Sequence, residues 1–273
     1  MSVGAGGDER PSELEALRCD LADEQRSLDE VVAHITLEQW SAPTPSAGWS
    51  VCDQIGHLAF FDASAATAIS DPERFKAELS ELIAGANLQG IDEYTLGGFR
   101  KLSPDDRLSK WRAKRELLDE AAATLREDTR VLWYGPSMSA KSFLTARLME
   151  TWAHGVDVVD ALGVERPASV RLRHVAQLGY ITRGWSYSVR GEKPPDGAVR
   201  VELSGPSGEL WTWGDEDADD TVRGPAEEFC LVVTQRRHLD DTSLETGPLG
   251  RHWLVRAQAF AGGPTDGPQP RSV

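Results

Sequence analysis

The run GWSVCDQIGHLAFFD, residues 48–62, is the stretch on which the reading of the fold turns. Pro43, Pro45 and Gly48 break the chain just before it. Ser50 can then cap the free amides of a first helical turn, with Asp53 as the acidic partner three residues on. The spacing predicts a helix through VCDQIGHLAFFDASAATAI that stops near Asp71-Pro72. Upstream, Leu14, Leu17, Leu21, Leu28, Val31, Val32 and Ile35 recur at three- and four-residue intervals, the apolar stripe of another helix. Downstream, RFKAELSELIAG reads as helix ending at Gly85, and a looser segment with Gly90, Gly97 and Gly98 leads to Ser103-Pro104. A third long helix covers DDRLSKWRAKRELLDEAAATLRE, and after Gly135-Pro136 a fourth runs from about Ser137 to Leu162 and ends at Gly163. Four long helices with Pro/Gly breaks predict a four-helix bundle over residues 12–163.

GVERPAS, from Gly163, reads as a linker to a small α+β domain over residues 169–261, giving the α+β class for the whole chain. There a helix from Leu172 to Val189 precedes a strand pair, VRVEL and ELWTWG, joined by the turn GPSG. EFCLVVTQ reads as a further strand and HWLVRAQAF as a final helix. Trp211 and Trp213 alternate on the hairpin and should share one face, packed between the domains. Residues 1–11 and 262–273 are expected to be disordered.

Of 273 residues, 40% are hydrophobic and 27% charged, the balance of a soluble globular protein. No apolar run approaches the ~20 residues of a bilayer helix, and the N-terminus lacks a secretory signal, so no membrane partner and a cytoplasmic location are expected. A net charge of -15 repels phosphate backbones and argues against nucleic acid as a partner. Cys19, Cys52 and Cys230 are odd in number and far apart, which fits buried packing rather than disulfides or a thiolate metal site.

The chemistry concentrates in METWAHGVDV, residues 149–158. Glu150 and His154 are four residues apart and project from one helix face, so both can reach one ion, with Asp157 a turn further on as a partner that could orient an imidazole. The same pattern also suits a solvated face, since Arg147, Glu150, His154 and Asp157 form a polar stripe opposite Leu148, Trp152, Val156 and Val159. His57, with Asp53 four residues before it and Phe61 four after, likewise suits either a ligand or a half-exposed histidine bonded to Asp53.

The wider pattern resembles the DinB-like superfamily, in particular its mycothiol-dependent maleylpyruvate isomerase branch. There a Gly-Trp-Ser/Thr turn opens the second helix, a His-Leu pair follows, and a Glu-x-x-x-His-x-x-Asp pattern marks the fourth. Gly48, Trp49, Ser50, His57 and Leu58 match the first mark, and Glu150, His154 and Asp157 the second. The resemblance implies that His57, Glu150 and His154 ligate a divalent metal, with Asp53 and Asp157 behind them. Three protein ligands leave room for a guest. Zinc is the first choice for such a set, with Fe2+ and Ni2+ as competitors. The resemblance further implies that Arg236 or Arg237 holds an anionic small-molecule substrate in a cleft between the domains. A low-molecular-weight thiol, mycothiol, would be the cosubstrate of an isomerase or S-transferase. Three rivals stand beside this reading. One is a thiol-independent hydrolase or cyclase with Asp53 or Asp157 as base; another is a non-catalytic metal- or ligand-binding protein; the third is that no metal binds and the polar stripe faces solvent.

Overall fold

The computed structural model describes residues 11–135 and 137–271, so the expectation for the first ten residues and the place of Pro136 in a helix break lie outside the described residues. Four long helices form the bundle: α1 (Glu13–Val32), α3 (Val51–Ser70), α6 (Pro104–Ala122) and α7 (Ala140–Leu162). α3 packs chiefly on α6 and α1 on α7, with α3 also against α7. The connections carry three more helices, α2 (Leu37–Trp40), α4 (Pro72–Gln89) and α5 (Ile91–Arg100), and a two-stranded ribbon, β1 (Arg130–Val131) with β2 (Met138–Ser139).

Local chemistry accounts for the helix starts. Ser12, Ser103 and Ser139 each accept a first-turn amide, and Pro72 and Pro104 stand where the missing N–H costs nothing. Gly163 ends α7 in the left-handed region, at φ +64°. The segment expected to be loose is helical. α4 runs past Gly85, and α5 forms in spite of Gly97 and Gly98 because Leu96 and Phe99 bury themselves against α3. Gly56 makes that packing possible, since a Cβ there would lie 2.9 Å from the Phe99 ring.

The second unit contains α8 (Leu172–Ile181), α9 (Arg183–Ser188), β3 (Val199–Ser204), β4 (Leu210–Trp213), β5 (Asp220–Pro225), α10 (Ala226–Val233), β6 (Glu245–Thr246) and α11 (Pro248–Leu254). Its sheet has the order β4-β3-β5-β6, with β3–β5 parallel and the outer pairings antiparallel. The expected strand EFCLVVTQ is instead the body of α10. Phe229, Cys230, Val232 and Val233 are its buried positions, a helical spacing, and Glu227 and Glu228 sit in its first turn. The strand the sequence hid is β5, DTVRGP, which buries only Val222. The last helix starts earlier than expected, at Pro248, and stops at Leu254. The helix expected from Leu172 to Val189 is interrupted at Thr182.

One hydrophobic cluster runs continuously from the bundle (Leu17, Phe143, Trp152) into the second unit (Val175, Phe229, Trp253). A second closes the far end of the bundle around Trp40, Ile55, Leu58 and Trp111. Trp211 is buried in the first cluster, and Trp213 reaches α8, where its indole N–H donates to Gln177 Oε1. Cys52 and Cys230 are buried as expected, whereas Cys19 is exposed on α1. Residues 262–271 carry neither helix nor strand; Thr265 bonds both Gln235 and Gln258 there.

Candidate metal centre

The polar stripe of α7 faces inward. Arg147 is 3% exposed, His154 7% and Asp157 3%, so the solvated-face reading does not describe this helix. Its neighbour across the bundle is α3, which carries His57. Between the two helices, Glu150 Oε2 lies 3.1 Å from His154 Nε2 and 3.8 Å from His57 Nε2. The ligand atoms of the three residues all fall within 4.8 Å of one another. Atoms held about 2.0–2.3 Å from a common ion require separations of this order. The cluster keeps some contact with solvent, the Glu150 side chain being 25% exposed.

The tautomer of His154 is set by a chain of hydrogen bonds. Thr44 Oγ1 donates to the Trp49 carbonyl at 3.0 Å, so its oxygen is left to accept from Gln54 Nε2 at 2.9 Å. That fixes the Gln54 amide with its carbonyl toward α7, where it accepts from His154 Nδ1 at 2.5 Å. Nε2 of a neutral His154 therefore presents a lone pair to a carboxylate oxygen. Burial, followed by the charge of His57, pushes the His154 imidazolium down to about 3. Burial opposes ionisation of Glu150, but its two histidine neighbours outweigh it and hold the carboxyl well below its ordinary range. At neutral pH, two electron-rich atoms thus face each other with no proton between them. A divalent cation answers that arrangement, and the donor set fits one.

Replacing Gln54 with leucine should weaken metal binding about 10- to 100-fold, the usual effect of losing a hydrogen-bond partner behind a ligand. Competition with a fluorescent chelator measures it, and circular dichroism should show the helices intact.

The opening motif of α3 builds the rest of the site. Gly48 has φ +81°, a conformation that favours glycine, and lets residues 43–50 fold back with Thr44 N–H donating to the Trp49 carbonyl at 2.8 Å. The turn sets the Trp49 ring nearly parallel to His154, at 6.0 Å and 17°, and 5.2 Å from His57. Trp49 Nε1 donates to Asp92 of α5 at 3.0 Å, and the Phe61 ring packs against His57 at 4.5 Å. Gln54 and the role of the Trp49 ring were not singled out in the sequence.

The two expected supporting carboxylates bond elsewhere. Asp53 accepts from Ser50 N–H and Oγ, both at 2.8 Å, and from Arg100 Nε at 2.7 Å, rather than from His57. Asp157 accepts from Arg236 Nη2 at 2.9 Å and Ser46 Oγ at 3.1 Å, rather than from His154. It thereby ties the loop bearing Trp49 to the second unit. Arg236 lies close enough to His154 for its charge to disfavour the imidazolium. Arg237 turns to the other side of α7, with Asp160 Oδ2 at 3.9 Å.

Asp53 offers a test through acid stability. Burial raises its pKa, but the Ser50 and Arg100 bonds together outweigh that and leave it lowered. A folded pKa below the unfolded value gives stability that is complete above the unfolded value of about 3.9 and fades as pH falls through the folded one. In denaturant titrations Asp53→Asn should lose about 1 kcal/mol at neutral pH, the value of a helix cap, and show a shallower decline in acid than the parent.

Residues 21–159 match the family model described as the mycothiol maleylpyruvate isomerase N-terminal domain, and residues 195–245 match one described as wyosine base formation. Uncharacterized proteins of two Mycobacterium tuberculosis strains, CDC 1551 / Oshkosh and ATCC 25618 / H37Rv, are each 46% identical over 249 residues, covering 91% of this chain and 96% of theirs. Crystal structures of the mycothiol-dependent maleylpyruvate isomerase and of a mutant of it share the fold, with TM-scores of 0.56 and 0.55 at 17% and 16% identity, over 92% of this chain and 96% of theirs. On the match across its helical bundle, the chain belongs to the mycothiol maleylpyruvate isomerase-like family of the DinB-like superfamily.

Proposed function

We propose that this protein is a metal-dependent enzyme that uses a low-molecular-weight thiol, mycothiol in the first instance, either to isomerise a small electrophilic substrate or to transfer the thiol sulfur to it. The observation that carries the reading is a His57–Glu150–His154 donor set to which, among the described residues, no cysteine contributes. Burial pushes the Cys52 thiol up to about 11 and raises that of Cys230 well above its ordinary value, so neither supplies a thiolate at neutral pH. Cys19 is exposed on α1, outside the donor set. The reacting sulfur would then come from outside the chain.

His57, Glu150 and His154 would hold the ion, with zinc preferred and Fe2+ or Ni2+ as alternatives. A divalent cation there supplies positive charge that favours the thiolate of an incoming thiol. The chain's own residues do the remaining work. Gln54 keeps the His154 lone pair directed at the centre, and Trp49 and Phe61 wall the histidines with apolar surface. Arg236 adds positive potential for an anionic substrate, though its Nη1 and Nη2 also donate to the Thr234 carbonyl and to Asp157. On a conjugated carbonyl substrate, the thiolate forms a carbon–sulfur bond as the double-bond pair moves to the carbonyl oxygen. Rotation about the new single bond and expulsion of the thiolate return that pair and give the other geometric isomer. Protonation at carbon without expulsion gives the thioether instead.

Asp53 and Asp157 are engaged by Arg100 and Arg236, which weakens the case for either as the base of a thiol-independent hydrolase. The test is turnover of maleylpyruvate by the metal-loaded protein with mycothiol, with glutathione and with no thiol. Turnover that requires a thiol supports the reading. Turnover equal in its absence contradicts it.

A further inference from the structure

Behind the metal centre, on the opposite side of α7, a cavity of about 470 Å³ opens at the seam of α1, α7, the 163–171 linker and α10. Trp152 and Val156 line it; each stands two residues from His154 and so about 200° around the helix from it. Arg166 and Arg237 supply its positive charge. The Arg166 side chain is 8% exposed and lies flat over Gly155, where a Cβ would come within 2.9 Å of Nη1. Its Nη2 donates to the Trp152 carbonyl at 3.3 Å, and its Nη1 is ion-paired with Glu24 Oε1 at 2.9 Å without a directed hydrogen bond. Glu24 is shared with Arg171, at 2.8 Å, so one carboxylate serves two guanidinium groups and one positive charge is left over. Arg237, 16% exposed, makes no guanidinium hydrogen bond among the described residues, and Asp160 is within ion-pair reach only at 3.9 Å. An arginine removed from water in this way ordinarily has its N–H groups satisfied.

We infer that this cavity is a second binding site, separate from the metal centre, for a small organic monocarboxylate with an apolar body. The carboxylate pairs with Arg237, and the apolar part lies on Trp152, Val156 and Leu231. A single negative charge is favoured over a phosphate or dicarboxylate. The buried Glu24–Arg166–Arg171 cluster carries a single excess positive charge, Asp160 already stands against Arg237, and Glu165 and Glu227 at the exposed edge repel a multivalent anion.

Titration calorimetry of the full-length, metal-loaded protein with benzoate tests the site, with inorganic phosphate as the competing class. Benzoate should bind with a dissociation constant near 1 mM or below, as a few charge-assisted bonds and one buried ring allow. Arg237→Gln should weaken it at least about tenfold. Leu231→Trp fills the cavity while keeping both arginines, and should abolish binding even if the arginine variant folds poorly. His57→Ala should bind benzoate as the parent does, which keeps this inference separable from the metal-centre proposal. The inference is overturned by no binding up to about 10 mM, by binding that survives both cavity variants, by its loss in His57→Ala, or by phosphate binding as tightly as benzoate.

Discussion

His57→Ala and His154→Ala proteins are expected to fold and to emerge from purification without their divalent ion. Loss of the supporting amide of Gln54 alone should cost about 10- to 100-fold in affinity, and removal of a direct ligand should cost more, at least about 100-fold. Elemental analysis after dialysis, beside the parent, gives the result directly. Glu150→Gln adds a test that simple ligand deletion cannot. In the metal-free parent, the carboxylate of Glu150 faces the lone pair of a neutral His154. A glutamine amide can turn its N–H₂ toward Nε2 and replace that repulsion with a hydrogen bond. The metal-free Glu150→Gln protein should therefore be more stable than the metal-free parent, by up to about 1 kcal/mol, while binding metal far more weakly. Denaturant unfolding in the presence of a chelator measures the first effect. A metal-free Glu150→Gln chain no more stable than the parent would count against the tautomer assigned to His154.

The largest expected loss of stability lies one turn before the site. Arg147 Nη2 donates to Asp62 Oδ1 at 2.9 Å, and the two side chains are 4% and 0% exposed. Gln25 Nε2 donates to the other Asp62 oxygen at 3.3 Å. Burial raises the Asp62 pKa and Arg147 opposes that rise. Among the described residues Arg147 is the one charged side chain hydrogen-bonded to Asp62, so Arg147→Met should cost about 3–5 kcal/mol. Arg147→Met with Asp62→Leu should recover much of that loss, because no orphaned charge is left. Recovery to within about 1 kcal/mol of the parent is the outcome expected when a buried pair is exchanged for apolar packing. The pair bridges α3 and α7 at the level of the site, so its weakening should also loosen metal binding.

The bundle could be read from the sequence because its helices carry both kinds of signal. Ser50 with Asp53, Ser103 before Pro104, and Gly163 mark ends, and the leucines of α1 mark a face. Where those signals conflict with burial, the sequence misleads. Gly97 and Gly98 suggest a loop, but Leu96 and Phe99 find a seat against Gly56 and hold α5 helical. In α10, a short apolar run offers no period long enough to separate helix from strand. β5 is hidden because Gly224 and Pro225 stand in it and its parallel partner β3 lies some twenty residues away. The triad was suggested by the resemblance of two spaced motifs to a known family, since spacing alone left a solvated helix face open. Its support was not, because the Gln54 partner is a hundred residues distant and Asp53 and Asp157, the nearer carboxylates by spacing, are taken by Arg100 and Arg236. Spacing on one helix tells which side chains share a face, but not which neighbour across the bundle reaches them first.

The central claim is that His57, Glu150 and His154 together hold one divalent ion with room for a further ligand. X-ray absorption at the zinc edge of the zinc-loaded, full-length chain tests it most directly. The account predicts nitrogen and oxygen neighbours only, at about 2.0–2.1 Å, with the outer scattering of two imidazoles, and a new sulfur neighbour when a thiol is added. A protein sulfur in the metal's shell before thiol is added, scattering from fewer than two imidazoles, or a folded chain that takes up no zinc would contradict it.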